Sequence, residues 1–295
     1  MATGSGRAAL LRQTFSALNF KGTLSKSKDE AIVIHPGLSY GDFHGRTPAI
    51  WKLMKLMEGS RFFAHHAMSS PGEDNFAEYD VLTKDRMTFM GSTEFLINKA
   101  MYDRYMSKSP LDVKLRLHHV GKSSLSTQAK VFVHQSDTVL LSNINQVVSI
   151  DPSSRKPMPL PDWWKTKYAG MVSGGAPMVI QSESRPDGAT VYDVPVSWSD
   201  TDFYEHTNWT SYVKYCIDAA NVCGIRGQLQ QISKETVKES QVKTLRVRYS
   251  GESLLGDVLK IYSWETPELP NIIKFQVCKE TNPICFVFIE YFEHS

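Results

Sequence analysis

Apolar and polar positions along this chain follow two rhythms, and the two rhythms occur in the same order twice. Ile50, Leu53, Met54 and Met57 recur at i, i+3, i+4 and i+7, one face of an α-helix, after the extended run Ala31-Ile-Val-Ile. Thr47 is placed to cap that helix and Pro48 to occupy its first turn. Trp209, Tyr212, Val213, Cys216, Ala220 and Cys223 repeat the helical spacing after Val191-Tyr-Asp-Val and stop at Gly224. Downstream of each helix the period shortens to two, which predicts strands with one buried face. In the first half Val113, Leu115 and Leu117 alternate, followed by 129–133 and 139–150. In the second, Leu245, Val247 and Tyr249 alternate, followed by 258–262, by Ile273, Phe275 and Val277, and by 284–292.

The two halves superpose without gaps around the helix starts. A shift of 160 residues lays Asp42-Phe43 on Asp202-Phe203, Arg46 on His206, Thr47 on Thr207 and Pro48 on Asn208. Farther on, Asp112-Val113 matches Asp257-Val258 at a shift of 145, so the first copy carries an insertion, expected within residues 67–90. Between the copies lie six of the fourteen prolines (Pro152, Pro157, Pro159, Pro161, Pro177 and Pro186). Proline cannot donate to a sheet ladder, so this stretch reads as a surface linker. The expected organisation is an α+β chain: an N-terminal extension 1–29, a first unit 30–151, a linker 152–187 and a second unit 188–295.

Composition narrows the classes. At 295 residues, 41% apolar and 22% charged, the chain has the make-up of a soluble globule. A net charge of +2 without a basic stripe gives no case for nucleic acid, and no apolar run approaches the roughly 18 residues of a membrane span. Cys216, Cys223, Cys278 and Cys285 form no Cys-x-x-Cys pair, which argues against a disulfide framework or zinc site and for a reducing, cytoplasmic setting. The first 28 residues hold five Lys or Arg and no acid. They read either as a mitochondrial presequence or as an amphipathic helix over about 7–18. The pairs His65-His66 and His118-His119 diverge on any regular element and read as surface histidines, so neither metal nor other cofactor is expected. Gly37-Leu-Ser-Tyr-Gly41 fits Gly-x-Ser-x-Gly, but the intervening Asp42–Pro48 breaks the strand-to-helix turn that a nucleophile elbow needs.

The candidate chemistry lies in residues 200–212, Asp-Thr-Asp-Phe-Tyr-Glu-His-Thr-Asn-Trp-Thr-Ser-Tyr. If 198–203 is extended, Asp200 and Asp202 project from one side and their titrations couple. His206 follows at the turn into the helix. Asn208 is placed either to cap that helix or to fix a carboxylate. A helix entrance also offers backbone N–H groups and positive potential to an acyl oxygen that develops negative charge.

This run resembles the active-site segment of hotdog-fold acyl thioesterases, in particular acyl-carrier-protein thioesterases and the 4-hydroxybenzoyl-CoA thioesterase group. Their pattern, Asp-x-Asp-x-Asn-x-His-x-Asn-x-x-x-Tyr, is met by Asp200, Asp202, His206, Asn208 and Tyr212. Tyr204 stands where the acyl-carrier-protein enzymes usually have a catalytic Asn, and their later strand acid has no clear counterpart in Leu245-Arg-Val-Arg-Tyr-Ser-Gly. The resemblance implies a double hotdog, two curled antiparallel sheets each wrapped round a long central helix. Such a chain is a monomer with an internal pseudo-dimer, or pairs further as a homodimer. The implied activity is hydrolysis of an acyl thioester of CoA or acyl-carrier protein. Asp202 would be general base or nucleophile, with His206 and Asn208 orienting and Asp200 alongside. Tyr204, Trp209 and Tyr212, with Trp51 and Met54 of the first helix, would contact substrate; core packing is the other reading of that Met-rich helix. A hotdog hydratase or dehydratase, and a non-catalytic protein binding acyl thioesters or a partner, are the rival functions.

Overall fold

The computed structural model describes residues 12–68 and 75–293. Its strands and helices follow in the order β1 (Lys21–Leu24), β2 (Glu30–His35), β3 (Phe43–His44), β4 (Thr47–Pro48), α1 (Ile50–Phe62), β5 (Met87–Ile97), β6 (Leu111–Val120), β7 (Ser124–Val133) and β8 (Val139–Ile150). Then come α2 (Asp162–Tyr168), β9 (Thr190–Pro195), α3 (Trp209–Ile225), α4 (Lys234–Glu239), β10 (Val242–Tyr249), β11 (Val258–Glu265), β12 (Ile272–Lys279) and β13 (Asn282–Tyr291). The chain divides into two compact units. One takes the chain up to Tyr40 with Lys55–Gly91 and Asp103–Met178; the other takes Gly41–Met54, Ser92–Tyr102 and the chain from Val179 on.

In the first unit the strand order is β1-β2-β6-β7-β8, antiparallel throughout. Alternation sets the faces: Ala31 and Val33 of β2 are buried while Ile32 between them is exposed. The C-terminal part of α1 is tied to β8 by Arg61, whose Nη1 donates to Asn143 Oδ1 at 3.0 Å. Residues 12–17 form a helical turn whose Phe15 packs edge-on against Phe20 and Phe63. The rest of the expected N-terminal helix, and the presequence-like residues before Arg12, lie outside the described residues.

In the second unit β9 lies beside β11, and the order continues β11-β12-β13-β10 to Ser92–Leu96 of β5. α3 lies against this sheet, burying Tyr212, Val213, Cys216, Ala220 and Cys223. Each half thus runs strand, long helix, then antiparallel strands, with its first strand returning beside the third. This is the hotdog arrangement, present twice in tandem. All four cysteines are buried and free.

Four local expectations are corrected. Thr47 and Pro48 do not start α1; they pair with His44 and Phe43, and the Ala49 carbonyl accepts the first helical N–H, from Leu53. Proline suits that two-residue ladder because its missing donor faces outward. α3 runs one residue past Gly224 to Ile225, and the left-handed residue that closes it is Gly227, at φ +67°. The stretch assigned to the insertion holds the start of β5, the first-half counterpart of β10. Its Met87-Thr-Phe-Met-Gly-Ser-Thr alternates too weakly to read as a strand. His65 is a buried ring, stacked on Tyr79 at 3.9 Å, and burial pushes its pKa well down.

The proline-rich stretch also contributes to the first unit's core. Pro161 opens α2, whose Trp164 and Tyr168 are fully buried, and Trp164 Nε1 donates to the Ala77 carbonyl at 2.7 Å. Trp164→Ala is therefore expected to lower stability by about 3–5 kcal/mol in urea unfolding, against less than about 1 kcal/mol for a residue merely lying on the surface.

Candidate active site

The loop from Ser197 to Asn208 separates two acids that the sequence places together. Trp198–Asp200 is a short helical turn, not an extended run, and Asp200 is carried inward to 6% exposure. Its Oδ1 lies 3.1 Å from Lys214 Nζ, and its carbonyl accepts Asn208 N–H at 2.8 Å and Ser211 Oγ at 2.9 Å. A buried carboxylate requires such partners. Asp200 is thus a brace under the entrance to α3. Its charge reaches farther along the helix, since burial and then Asp200 push the Asp218 pKa up, partly opposed by Lys214 and His44.

Asp202 closes a turn of its own. Its Oδ1 accepts Tyr204 N–H at 2.8 Å and His206 N–H at 3.3 Å, and its own N–H donates to the His206 carbonyl at 2.8 Å. Glu205 takes the left-handed conformation that this turn demands, at φ +62°. The turn presents His206 beside Asp202, with its imidazole Nδ1 3.2 Å from Glu252 Oε2.

Glu252 is the residue that sequence reasoning missed. It follows β10 in the turn Ser250-Gly-Glu-Ser, where an acid reads as ordinary turn chemistry. Its neighbour Ser253 decides its position: the Ser253 carbonyl accepts Thr207 N–H at 2.8 Å, and its hydroxyl lies 2.6 Å from Thr207 Oγ1 and 2.9 Å from Tyr212 Oη. Tyr212 Oη in turn accepts Ser253 N–H at 3.1 Å, and burial pushes its pKa up to about 12.

Asn208 is buried and takes the capping role, its Oδ1 accepting Thr210 N–H at 3.0 Å and Thr210 Oγ1 at 2.7 Å. Its carbonyl takes Ser211 N–H at 2.8 Å. Thr210 and Ser211 amides are therefore engaged within the helix start, and the expected oxyanion role does not fall on them.

The residues expected to contact substrate scatter. Trp209 is half-buried, its carbonyl accepting Tyr249 Oη at 2.9 Å. Tyr204 is 44% exposed and sits edge-on to Phe203. Tyr212 is tied to Ser253, Trp51 is half-buried and Met54 lies wholly in the core. In the first half's counterpart Asp42 lies 3.9 Å from Lys52 Nζ, and Arg46 and His44 are exposed. A separate cleft of about 490 Å³ beside Lys99, Lys243, Asn271 and Glu290 contains none of these residues. Among the described residues no three His, Cys, Asp or Glu side chains gather as metal ligands would, and no helix is long and apolar enough to cross a membrane.

No family model and no curated protein matches the chain. Solved structures do. The chain is similar to an acyl-ACP thioesterase from Bacteroides thetaiotaomicron at TM-score 0.67 and 12% identity, over 91% of this chain and 100% of that one. It is similar also to the 12:0-ACP thioesterase from Umbellularia californica at TM-score 0.66 and 13% identity, over 92% and 99%. At such identity the likeness establishes the double hotdog fold.

Two outcomes test the local construction. Asn208→Ala should cost about 1–2 kcal/mol of stability in chemical unfolding, while Asn208→Asp retains most of it. The Tyr212 phenol has its folded pKa raised from 10.0 to about 12. Its contribution to stability is therefore complete below pH 10 and disappears as pH rises toward 12. Tyr212→Phe should flatten the fall in stability across that alkaline window, read as melting temperature against pH.

Proposed function

We propose that this chain hydrolyses acyl thioesters to a free acid and a thiol at the turn Asp202–Asn208. The observation that carries the reading is the pairing of His206 with Glu252, from the turn after β10, where the Asp202 carboxylate accepts the His206 backbone N–H at the mouth of α3. The likeness in fold to acyl-ACP thioesterases supports it.

The chemistry follows from which ring nitrogen holds the proton. With Glu252 accepting from Nδ1–H, the His206 lone pair resides on Nε2, where it takes a proton from water as that water attacks the thioester carbon. The tetrahedral intermediate then expels the thiolate, which recovers the proton from the imidazolium. Asp202, held by two backbone N–H groups, adds negative charge to the same turn, which favours the developing imidazolium. An alternative route has the Asp202 carboxylate attack the carbonyl, form a mixed anhydride with loss of the thiolate, and regenerate on hydrolysis. Asp200 and Asn208 hold the loop and the helix start in place on either route. CoA and acyl-carrier protein are the candidate carriers, and the cytoplasm or the mitochondrial matrix the candidate settings.

Thiol release measured with a chromogenic reagent, across short, medium and long acyl-CoAs and an acyl-carrier-protein thioester, tests the proposal. His206→Ala and Asp202→Asn are each expected to lower kcat/KM by about 10²–10⁴, and Glu252→Gln by less, because it orients the base without transferring the proton. Wild-type rates in the double variant Asp202→Asn/His206→Ala would overturn the assignment. Single turnover in ¹⁸O-water separates the routes: label entering the Asp202 carboxylate identifies it as the nucleophile.

A further inference from the structure

His206 and Glu252 are followed by residues that pair in the same order. One position on from each, the Thr207 and Ser253 hydroxyls lie 2.6 Å apart, and Thr207 N–H donates to the Ser253 carbonyl at 2.8 Å. One position farther, Leu254 bridges back to His206. The two side-chain pairs differ in their access to water. The Glu252 side chain is 48% exposed and that of His206 20%, whereas Thr207 and Ser253 are buried. An ion pair with one partner that wet is screened and must order two side chains, so it does little to hold its own geometry. A buried hydroxyl pair is different: neither member finds water if the contact is lost, so the separation is enforced.

The Thr207 hydroxyl has no other evident task. Valine has nearly the same shape, so filling the space does not require the oxygen. The helix start does not require it either, because Asn208 caps α3 by accepting Thr210 N–H at 3.0 Å. What the hydroxyl adds is a second tie, beside the backbone bond, to the residue adjoining Glu252. Ser253 is in turn anchored to α3, its hydroxyl 2.9 Å from Tyr212 Oη, so it keeps a partner when the Thr207 hydroxyl is removed.

We propose that Thr207 is a positioning residue for His206. Its hydroxyl acts through Ser253 to hold Glu252 at His206 Nδ1, which keeps the ring proton on Nδ1 and the lone pair on Nε2. An imidazole without such a partner favours the proton on Nε2, the nitrogen that a base in this arrangement needs vacant. That the arrangement serves thioester hydrolysis rests on the reading above; the placement of the ring proton does not.

The test compares, in the full chain, Thr207→Val, which keeps the shape and removes the hydroxyl, with Thr207→Ser, which keeps the hydroxyl. ¹⁵N chemical shifts of the His206 ring, identified by the signals that disappear in His206→Ala, are read well above the ordinary histidine pKa. Wild type and Thr207→Ser should carry the proton on Nδ1, while Thr207→Val and Glu252→Ala should both move toward Nε2–H. In thiol release, Thr207→Val should lower kcat/KM by about 10- to 10²-fold, with most of the loss restored in Thr207→Ser. In a Glu252→Ala background Thr207→Val should lower the rate no further, because its effect passes through Glu252. A residue that merely stabilised the loop would lower the rate in both backgrounds, and that result would overturn the proposal. So would a wild-type ring protonated on Nε2, or a ring unchanged by Thr207→Val. If Thr207→Val fails to fold, Ser253→Ala removes the other hydroxyl of the pair and should give the same ring shift and the same lack of additivity; an unchanged ring there overturns the proposal equally. A wild type that releases no thiol, yet holds a Nδ1 proton that Thr207→Val displaces, would sink the thioesterase reading and leave the positioning role standing.

Discussion

Ser253, wholly buried, bonds at once to Thr207 and to Tyr212, and through that knot the turn after β10 is fastened to the start of α3. Each of these bonds contributes only about 0.5–1.5 kcal/mol net, but a buried hydroxyl left without partners costs comparably or more, so the set is made together or not at all. Its consequence is positional. With Ser253 held, the backbone of Glu252 is brought near His206, whose Nδ1 lies 3.2 Å from Glu252 Oε2 although the two are far apart along the chain.

Two aspartates two residues apart show how burial divides labour. Asp200 is withdrawn from water and satisfied by Lys214, by Ser197 N–H at 3.4 Å and, through its carbonyl, by Asn208 and Ser211. Asp202 stays half-buried and spends one oxygen on two backbone N–H groups. The first is committed to structure by the cost of leaving a buried charge unpaired; the second keeps its charge at the surface, in the turn that leads to His206. The first half retains the same ladder and helix start but has Pro48 where the second has its capping Asn208, and Arg46 where the second has His206. At these matched positions the second half has an imidazole beside the helix start and the first half does not.

Much of the fold was legible from periodicity. The apolar stripes of α1 and α3, the alternating strands and the shift of 160 residues between the helix starts are local or repeated signals, and each follows from a side chain's need to face a core. The Asp-Thr-Asp…His-Thr-Asn run likewise marked the loop at the entrance to α3. Where Asp200 and Asp202 point was not legible, because a helical turn at 198–200 rotates one inward and no period betrays a three-residue turn. β5 escaped for a related reason: its half-buried residues alternate weakly, and its pairing with β10 is what makes it a strand. Glu252 depended wholly on tertiary structure. Its meeting with His206 is a long-range contact set by buried Ser253, and long-range contacts leave no mark in the local pattern of a single chain.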